Sequence, residues 1–576
     1  MRVHSKGVSA DEKPITLSYC GQRVDARLGD TVASALVNAG HLVCRETSTG
    51  DPRGVFCGMG VCTDCTVEVG GRAGVLACMT TACEGMDVRL QPAAPALSWD
   101  DSGELPEHEL SPDVLVVGGG PAGLAAALAS SEAGLDVVLL DERSKLGGQY
   151  FKQPAAEFSV DENCLDHQYQ HGRALIERIR ASSITVLQGV AVWGAFSSDR
   201  LHAAGKDARW VLSPRRLIVA TGAYERGVPM PGWTLPGVLS TGAGQSLLRS
   251  SQVSPGSRVL VSGNGPLNLQ VAAEMARAGV TVVALAELAD LRQPINGVLS
   301  ARMLAAAPSL VRDGAGYIAS LARARIPVLS RSSVISLEGE RSVTAATVAK
   351  IDDEGRPVVG TERRFAVDAV CLGFGFLPSN EIARSLGCCH RVDPVGGGLM
   401  VERDETGRTS LPNVWVIGDS AAIEGAKVAG ALGVIAGHAV AEDLGITVSS
   451  EISRQVRIAR RALKRHRRFQ DALWRVYAAP VLWDQLALPD TIICRCENIS
   501  LQQVEAGLSP GLHSAGALKR TTRVGMGKCQ GRYCGPVVTK LAARRSGQPV
   551  DERAGFFSQV PYKPTEIATV AAAADD

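Results

Sequence analysis

The segment Asp113 to Gln149, DVLVVGGGPAGLAAALASSEAGLDVVLLDERSKLGGQ, constrains the fold of this chain more than any other stretch. Val114 to Val117 is a short apolar run suited to a buried parallel strand, and Leu124 to Ala133 reads as a helix. Between them Gly118, Gly120 and Gly123 spell G-x-G-x-x-G. The first glycine permits the tight turn, the second lets a pyrophosphate approach the backbone, and the third lets helix and sheet pack closely. Pro121 suits a first helical turn, where its missing N–H costs nothing, and Ala122 follows it. The helix N-terminus then faces the phosphates with free N–H groups and its positive dipole end. Val137 to Leu140 is the second strand. Asp141 closes it at about the 20-residue distance expected of an acid on a ribose hydroxyl, with Glu142 as the alternative acid. A lone glycine turn can be merely structural. Strand, turn, helix, second strand and acid in series point to dinucleotide binding.

Val259 to Glu287 repeats this unit with Gly263 and Gly265 in place, but Asn268 stands where the third glycine belongs. A β-carbon there should push the helix from the sheet. An NAD-type domain is therefore expected, with redox use of NAD(P)H disfavoured.

The 15 cysteines need a separate reading. The N-terminus lacks the apolar core of a signal peptide, and a large chain with dinucleotide units and no export signal is better read as using cysteine for ligation than for disulfides. Cys57, Cys62, Cys65 and Cys78 give C-x4-C-x2-C-x12-C, the plant-type [2Fe–2S] spacing. Gly58 and Gly60 let the loop bend and aim N–H groups at sulfur. Structural zinc more often uses paired C-x2-C knuckles. Cys83 is the rival to Cys78 as fourth ligand, while Cys20 and Cys44 read as buried thiols. Near the other end, Cys494-x-Cys496 is followed by Cys529-x4-Cys534, a spacing that by itself also allows zinc. Cys371 reads as a core thiol, and Cys388-Cys389 is not expected to be a disulfide.

A net charge of +1 suggests neither nucleic acid nor an anionic membrane as partner. No apolar run reaches membrane-spanning length. Residues 1–13 are polar and expected to lack order. Ile15 to Tyr19 and Arg23 to Arg27 read as a hairpin, and Asp30 as the cap of a helix from Thr31 to Ala39. Residues 93–111 form a Pro- and acid-rich linker. Arg454 to Arg468 holds eight Lys or Arg and suits a helix with a basic side, which is either a solvated face or a docking face for an acidic partner or lipid headgroups. The tail after 546 should lie extended and then fray.

Gly147-Gly148-Gln149 resembles the two-dinucleotide-domain flavoproteins, which turns the first unit toward FAD. Leu411 to Asp419, LPNVWVIGD, resembles the segment that supplies an acid to the flavin ribityl chain, implying roles for Gly418 and Asp419. Ala220-Thr221-Gly222 resembles the turn at which the chain crosses back toward FAD. The resemblance places Val190 and Ala191 past the adenine, and Lys427 either at the flavin edge or in solvent. The C-terminal cysteine stretch resembles the bacterioferritin-associated-ferredoxin (BFD) type of [2Fe–2S] domain, with C-x4-C in place of its usual C-x2-C. With TGAYER and PGWTLPGV from Thr221 to Val238, the chain resembles the alpha subunits of opine oxidases, D-hydroxyproline dehydrogenases, hydrogen cyanide synthase and heterotetrameric sarcosine oxidase. Tyr224, Glu225 and Arg226 in that signature are either functional or a hinge.

The resemblance implies a multidomain α/β and α+β fold. A β-grasp [2Fe–2S] ferredoxin occupies 1–92, a Rossmann-like FAD domain 112–225 and 366–445, an NAD-type insertion 226–365, a helical basic linker 446–490 and a BFD-like [2Fe–2S] domain 491–546, followed by a tail. It implies FAD and two [2Fe–2S] clusters, with room for a non-redox nucleotide in the second unit. It also implies an electron-transferring subunit of a hetero-oligomeric amine or amino-acid dehydrogenase. Its partner would be a flavin-containing beta subunit of the D-amino-acid-oxidase-like family, with a quinone or other carrier as acceptor. The expected location is cytoplasmic, with membrane contact at most peripheral. In chain order the flavin lies between the clusters, as a two-electron junction flanked by one-electron relays. The alternatives are a self-sufficient NAD(P)H:acceptor reductase and a non-catalytic scaffold.

Overall fold

The computed structural model describes residues 1–4, 7–10, 14–94, 105–393, 396–447, 449–508 and 514–573. Two five-stranded parallel sheets form its middle. The first runs in the order Thr185–Gln188, Val137–Asp141, Val114–Val117, Arg216–Val219, Val414–Val416. All of Val114–Val117 is buried, as its unbroken apolar run demands of a strand covered on both faces. The helix Pro121–Glu132 leaves this strand through the glycine turn and packs against Ala426–Asp443. Small residues set that approach. A β-carbon at Gly433 would stand 2.3 Å from the Ala122 carbonyl oxygen, and one at Gly437 2.5 Å from that of Ala126. The close crossing brings Asp419, just before the second helix, toward the glycine turn at the head of the first.

The second sheet runs Val238–Ser240, Ala369–Gly373, Arg258–Gly263, Thr281–Glu287, Val328–Ser330, again all parallel. The N-terminal sheet is mixed and orders Gln22–Arg27, Pro14–Tyr19, Asp87–Leu90, Thr66–Val69, Arg72–Leu76 around the short helix Val32–Asn38. Thr31, not Asp30, caps that helix through a reciprocal pair with Ser34. The buried Asp30 carboxylate instead accepts from the guanidinium of Arg2 and the backbone N–H of Arg27.

The chain start is more ordered than its polarity suggests. Val3 is buried, and Val8–Ala10 pairs antiparallel with Phe158–Val160. The expectations for 5–6 and 11–13, for the linker from 95 to 104 and for fraying at 574–576 lie outside the described residues. The linker ends earlier than expected, because Glu107–Leu110 adds a parallel strand beside Arg209–Leu212. Cys20 is exposed, whereas Cys44 and Cys371 are buried.

The basic stretch is the middle of a 27-residue helix, Ser450–Val476. It rests on the body through Leu463, Phe469 and Ala472 and leaves most of its cations in solvent. Among the described residues no helix is long and apolar enough to cross a membrane. The last cysteines sit in a small core of Ile493, Val504, Leu518 and Val538. Beyond it the chain does not simply trail away. Tyr562 returns to the first dinucleotide domain, donating its N–H to the Trp193 carbonyl and receiving the Ala195 N–H at its hydroxyl, and Ile567–Ala572 is helical.

Candidate functional site

A cavity of about 1660 Å³ is lined by the glycine turns of both dinucleotide units. At the first turn Gly118 has φ +110°, and a β-carbon at Gly123 would meet the Gly118 carbonyl oxygen at 1.8 Å. Only glycine allows this crossing of turn and helix. Asp141 is held by two backbone donors, Gly119 N–H at 2.7 Å and Arg143 N–H at 2.8 Å. Burial pushes its carboxyl above the usual range, and these two N–H groups oppose that shift. Gly118, Gly120, Pro121, Ala122, Asp141, Glu142, Gly148, Gln149, Ala191, Thr221, Gly222, Asp419 and Lys427 all border the cavity. Gly123, Val190 and Gly418 lie behind its wall and shape it: Val190 donates its N–H to the Asp141 carbonyl, and a β-carbon on Gly418 would press on Ala122 at 2.9 Å. Asp419 accepts the N–H groups of Glu424 and Gly425 at 3.0 and 2.9 Å, while burial raises its carboxyl. Desolvation lowers the Lys427 amine.

Sequence reasoning missed two further cavity groups, Lys563 and Lys152, and left Glu225 open between a functional role and a hinge. Lys563 comes from the C-terminal tail and pairs with Glu142 beside Asp141; burial lowers its amine to about 8. Lys152, at a positive φ of 21°, donates to the Gly242 carbonyl at 2.8 Å and to Gln245 Oε1 at 3.0 Å. Glu225 caps the helix that follows Ser240, accepting the Gly242 N–H at 2.7 Å, and its other carboxylate oxygen is buried with no partner. Burial lowers Lys152 to about 7 and raises Glu225 to about 7. Of the signature residues, Glu225 faces the cavity, while Tyr224 is buried and Arg226 half-buried, both outside its wall. The TGAYER signature marks Glu225, whereas Lys152 and Lys563 carry no such mark.

The second turn differs as the sequence suggested, with another outcome. Asn268 is buried, accepts from the Thr241 hydroxyl at 2.8 Å and donates its amide to the Gly373 carbonyl at 2.8 Å. Its β-carbon is accommodated by tying the helix to two neighbouring segments. Trp474 of the basic helix comes within 3.8 Å of where a Gly265 β-carbon would stand. Glu287 accepts the Gly265 and Ala289 N–H groups, and burial raises its carboxyl to about 8.

The eight candidate ligand cysteines gather into two nests. In the first, Cys57 hydrogen-bonds with Cys62 and Cys65 with Cys78, and Cys57 Sγ also receives the Cys62 and Met59 N–H groups at 3.3 and 3.5 Å. Cys83 is exposed, its thiol directed at the Thr81 carbonyl. In the second, Cys494 hydrogen-bonds with Cys534 and Cys496 with Cys529. Among the described residues no group of three or more His, Cys, Asp or Glu converges on the space of one metal ion. Sulfurs held as two pairs suit a centre with two irons, each taking two thiolates, better than a tetrahedral zinc.

The nests also adjoin one another. Cys496 Sγ lies 3.9 Å from the Cys62 carbonyl oxygen. Cys57 borders the dinucleotide cavity, and no cysteine of the second nest does. Arg532, between Cys529 and Cys534, also lines that cavity, so residues beside both nests border it.

Comparison with known proteins gives three family matches. Residues 112–433 match the pyridine nucleotide-disulphide oxidoreductase model, 12–93 a 2Fe-2S iron-sulfur cluster binding domain and 492–544 a BFD-like [2Fe-2S] binding domain. An opine oxidase subunit from Agrobacterium tumefaciens (strain Ach5) is 30% identical over 80% of this chain and 91% of its own. Hydrogen cyanide synthase subunit HcnB of Pseudomonas protegens is 32% identical over 74% and 90%. The crystal structure of L-proline dehydrogenase from P. horikoshii superposes with a TM-score of 0.69 at 21% identity, covering 97% of this chain and 98% of that one, and so shares its fold.

Proposed function

Because this chain belongs to the pyridine nucleotide-disulphide oxidoreductase family, with a [2Fe–2S] domain at either end, we propose that it is the electron-transferring subunit of a multisubunit amine or amino-acid dehydrogenase. It is an oxidoreductase that carries FAD and two [2Fe–2S] clusters. The relatives named as subunits point to a hetero-oligomer.

One observation carries the reading: Cys57, a candidate cluster ligand, borders the same cavity as the first glycine turn. When bound, FAD supplies two-electron chemistry and the clusters one-electron chemistry. The residues supply position and field. The glycine turn would offer helix N–H groups to a pyrophosphate, and Asp141, fixed by two N–H donors, would hold a ribose hydroxyl. Asp419, fixed the same way, lines the same cavity, as does Lys427. The unpartnered oxygen of Glu225 and the amine of Lys152 offer a polar site for a cofactor group. Backbone N–H groups around Cys57 favour its thiolate form.

On this reading the C–N bond is oxidised in a flavin-containing beta subunit of the D-amino-acid-oxidase-like family, and this chain passes the electrons to a quinone or other carrier. The substrate is an opine, hydroxyproline, glycine or similar compound. We place the complex in the cytoplasm, with the exposed cations of the basic helix as the surface for any peripheral membrane contact. The test is co-purification of the native complex, followed by a substrate screen by dye reduction. An anaerobic preparation with FAD, iron and sulfide whose complex reduces dye with none of these amines would refute it. The NAD(P)H-dependent alternative is disfavoured by Trp474, which packs against Gly265 at the second turn; rapid bleaching of the isolated chain by NADH would restore it.

A further inference from the structure

The contact between the two cysteine nests is built, not incidental. Arg495 stands between the ligands Cys494 and Cys496, and Asp64 stands immediately before the ligand Cys65. Arg495 donates from Nε to Asp64 Oδ2 at 2.6 Å, and Arg45 donates to Asp64 Oδ1 at 2.8 Å. The side chains of Arg495 and Asp64 are 3% and 0% exposed. The Arg495 guanidinium lies 3.9 Å from the ring centre of Phe56, next to Cys57, and 4.6 Å from that of Trp233, whose carbonyl it also reaches at 2.6 Å. Arg53 crosses the same boundary to Asn498 at 2.7 Å. Thus the loop that holds half the second nest is clamped onto the loop that holds the first, and the contact point is Cys62 carbonyl to Cys496 sulfur.

Two features give this boundary a chemical meaning. An ion pair removed from water on both sides costs desolvation and is a poor way merely to join two domains; its strength is in fixing geometry. Arg45, Arg53 and Arg495 around Asp64, with Asp51 offsetting Arg53, also leave positive charge beside Cys62 and Cys496, which favours the added negative charge of reduction.

We infer that the clusters form one serial relay. One electron passes from the N-terminal cluster, which faces the dinucleotide cavity through Cys57, to the C-terminal cluster across the Cys62–Cys496 contact. Iron of the first is oxidised by one unit and iron of the second reduced by one, with no bond made or broken and no proton moved. Two passages carry the electron pair that a two-electron flavin yields. Arg495 and Asp64 are positioning residues: they hold the contact closed and set the potential difference across it. This inference rests on the functional reading above, because it requires iron–sulfur clusters in both nests.

The experiment uses the full-length holoprotein, purified without oxygen, assayed for FAD, iron and sulfide, and titrated with dithionite under paramagnetic resonance. The wild type should show two spectra that split or broaden when both clusters are reduced. Asp64→Asn and Arg495→Met should change the distribution of the first electron between the clusters about tenfold or more, about 59 mV for a one-electron couple, at unchanged iron and FAD. Arg495→Lys, which keeps the charge, should restore most of the wild-type distribution. A fully loaded wild type whose two signals never interact overturns the relay while leaving the functional reading intact. Unchanged potentials in loaded Asp64→Asn overturn the role of the ion pair. Zinc in place of iron overturns the functional reading and the relay together. Should the substitutions prevent folding, the wild-type spectrum still decides.

Discussion

Gly123→Ala should separate cofactor retention from general stability. The added β-carbon would lie 1.8 Å from the Gly118 carbonyl oxygen, and real β-carbons keep at least 3.0 Å. Helix and turn must therefore part by about 1.2 Å, the difference between those distances, where the helix N-terminus meets the pyrophosphate. Strain of this kind costs about 1–3 kcal/mol of stability. A shift of that size also breaks alignment of at least one N–H bond to a phosphate, and hydrogen bonds to charged groups are worth about 1.5–3 kcal/mol. At about 1.4 kcal/mol per decade, FAD should bind roughly ten- to a hundredfold more weakly. The assay is titration of deflavinated protein with FAD, followed by fluorescence quenching, beside a thermal melt. Gly134→Ala is the control. It sits past the other end of the same helix at φ +88° with open space around it, so alanine meets only backbone strain, about 1–2 kcal/mol. Comparable destabilisation with normal FAD affinity is expected there. Wild-type affinity in Gly123→Ala, or equal loss in Gly134→Ala, would refute the argument.

Cys57→Ser should abolish the N-terminal cluster's absorbance and leave FAD content unchanged, because the glycine turn and Asp141 do not depend on it; loss of both by absorbance spectroscopy would count against that independence. Lys563→Ala should weaken FAD binding severalfold through loss of its pairing with Glu142, which an FAD titration reads, and an unchanged affinity would reduce the tail to packing. Glu287→Gln should flatten the pH dependence of stability. Burial raises the wild-type carboxyl from 4.5 to about 8, so its contribution is full below pH 4.5 and is lost as pH rises through 8. Melting curves from about pH 5 to 9 should show the variant gaining on the wild type with rising pH, and parallel curves would show that Glu287 does not titrate in this window.

What could be read from the residues was whatever depends on neighbours in sequence. Val114 to Val117 had to be a covered strand, the glycine turn had to precede a helix, and the cysteine spacings had to serve loops of fixed reach. Even the irregular Asn268 was visible as a departure, although its bonds to Thr241 and Gly373 were not. What escaped was long-range. Nothing in the tail marks Lys563 as a partner of Glu142, since a lysine beside a tyrosine and a proline reads as solvated. Asp64 and Arg495 each carry a local explanation as a charge flanking ligands, and only the fold brings them together. Asp30 looked like a cap because its spacing was right, but Thr31 was better placed and Arg2 arrived from an end expected to be loose.

The clamp between the two nests has a consequence for biosynthesis. Domains tend to fold in the order in which they leave the ribosome, yet the lid over Phe56 and Asp64 is Arg495, translated more than four hundred residues later. Until then the first nest has its thiols walled on fewer sides, beside an aspartate still short of one arginine. A nascent or truncated polypeptide would thus lack the Arg495 cover over Phe56 and Asp64.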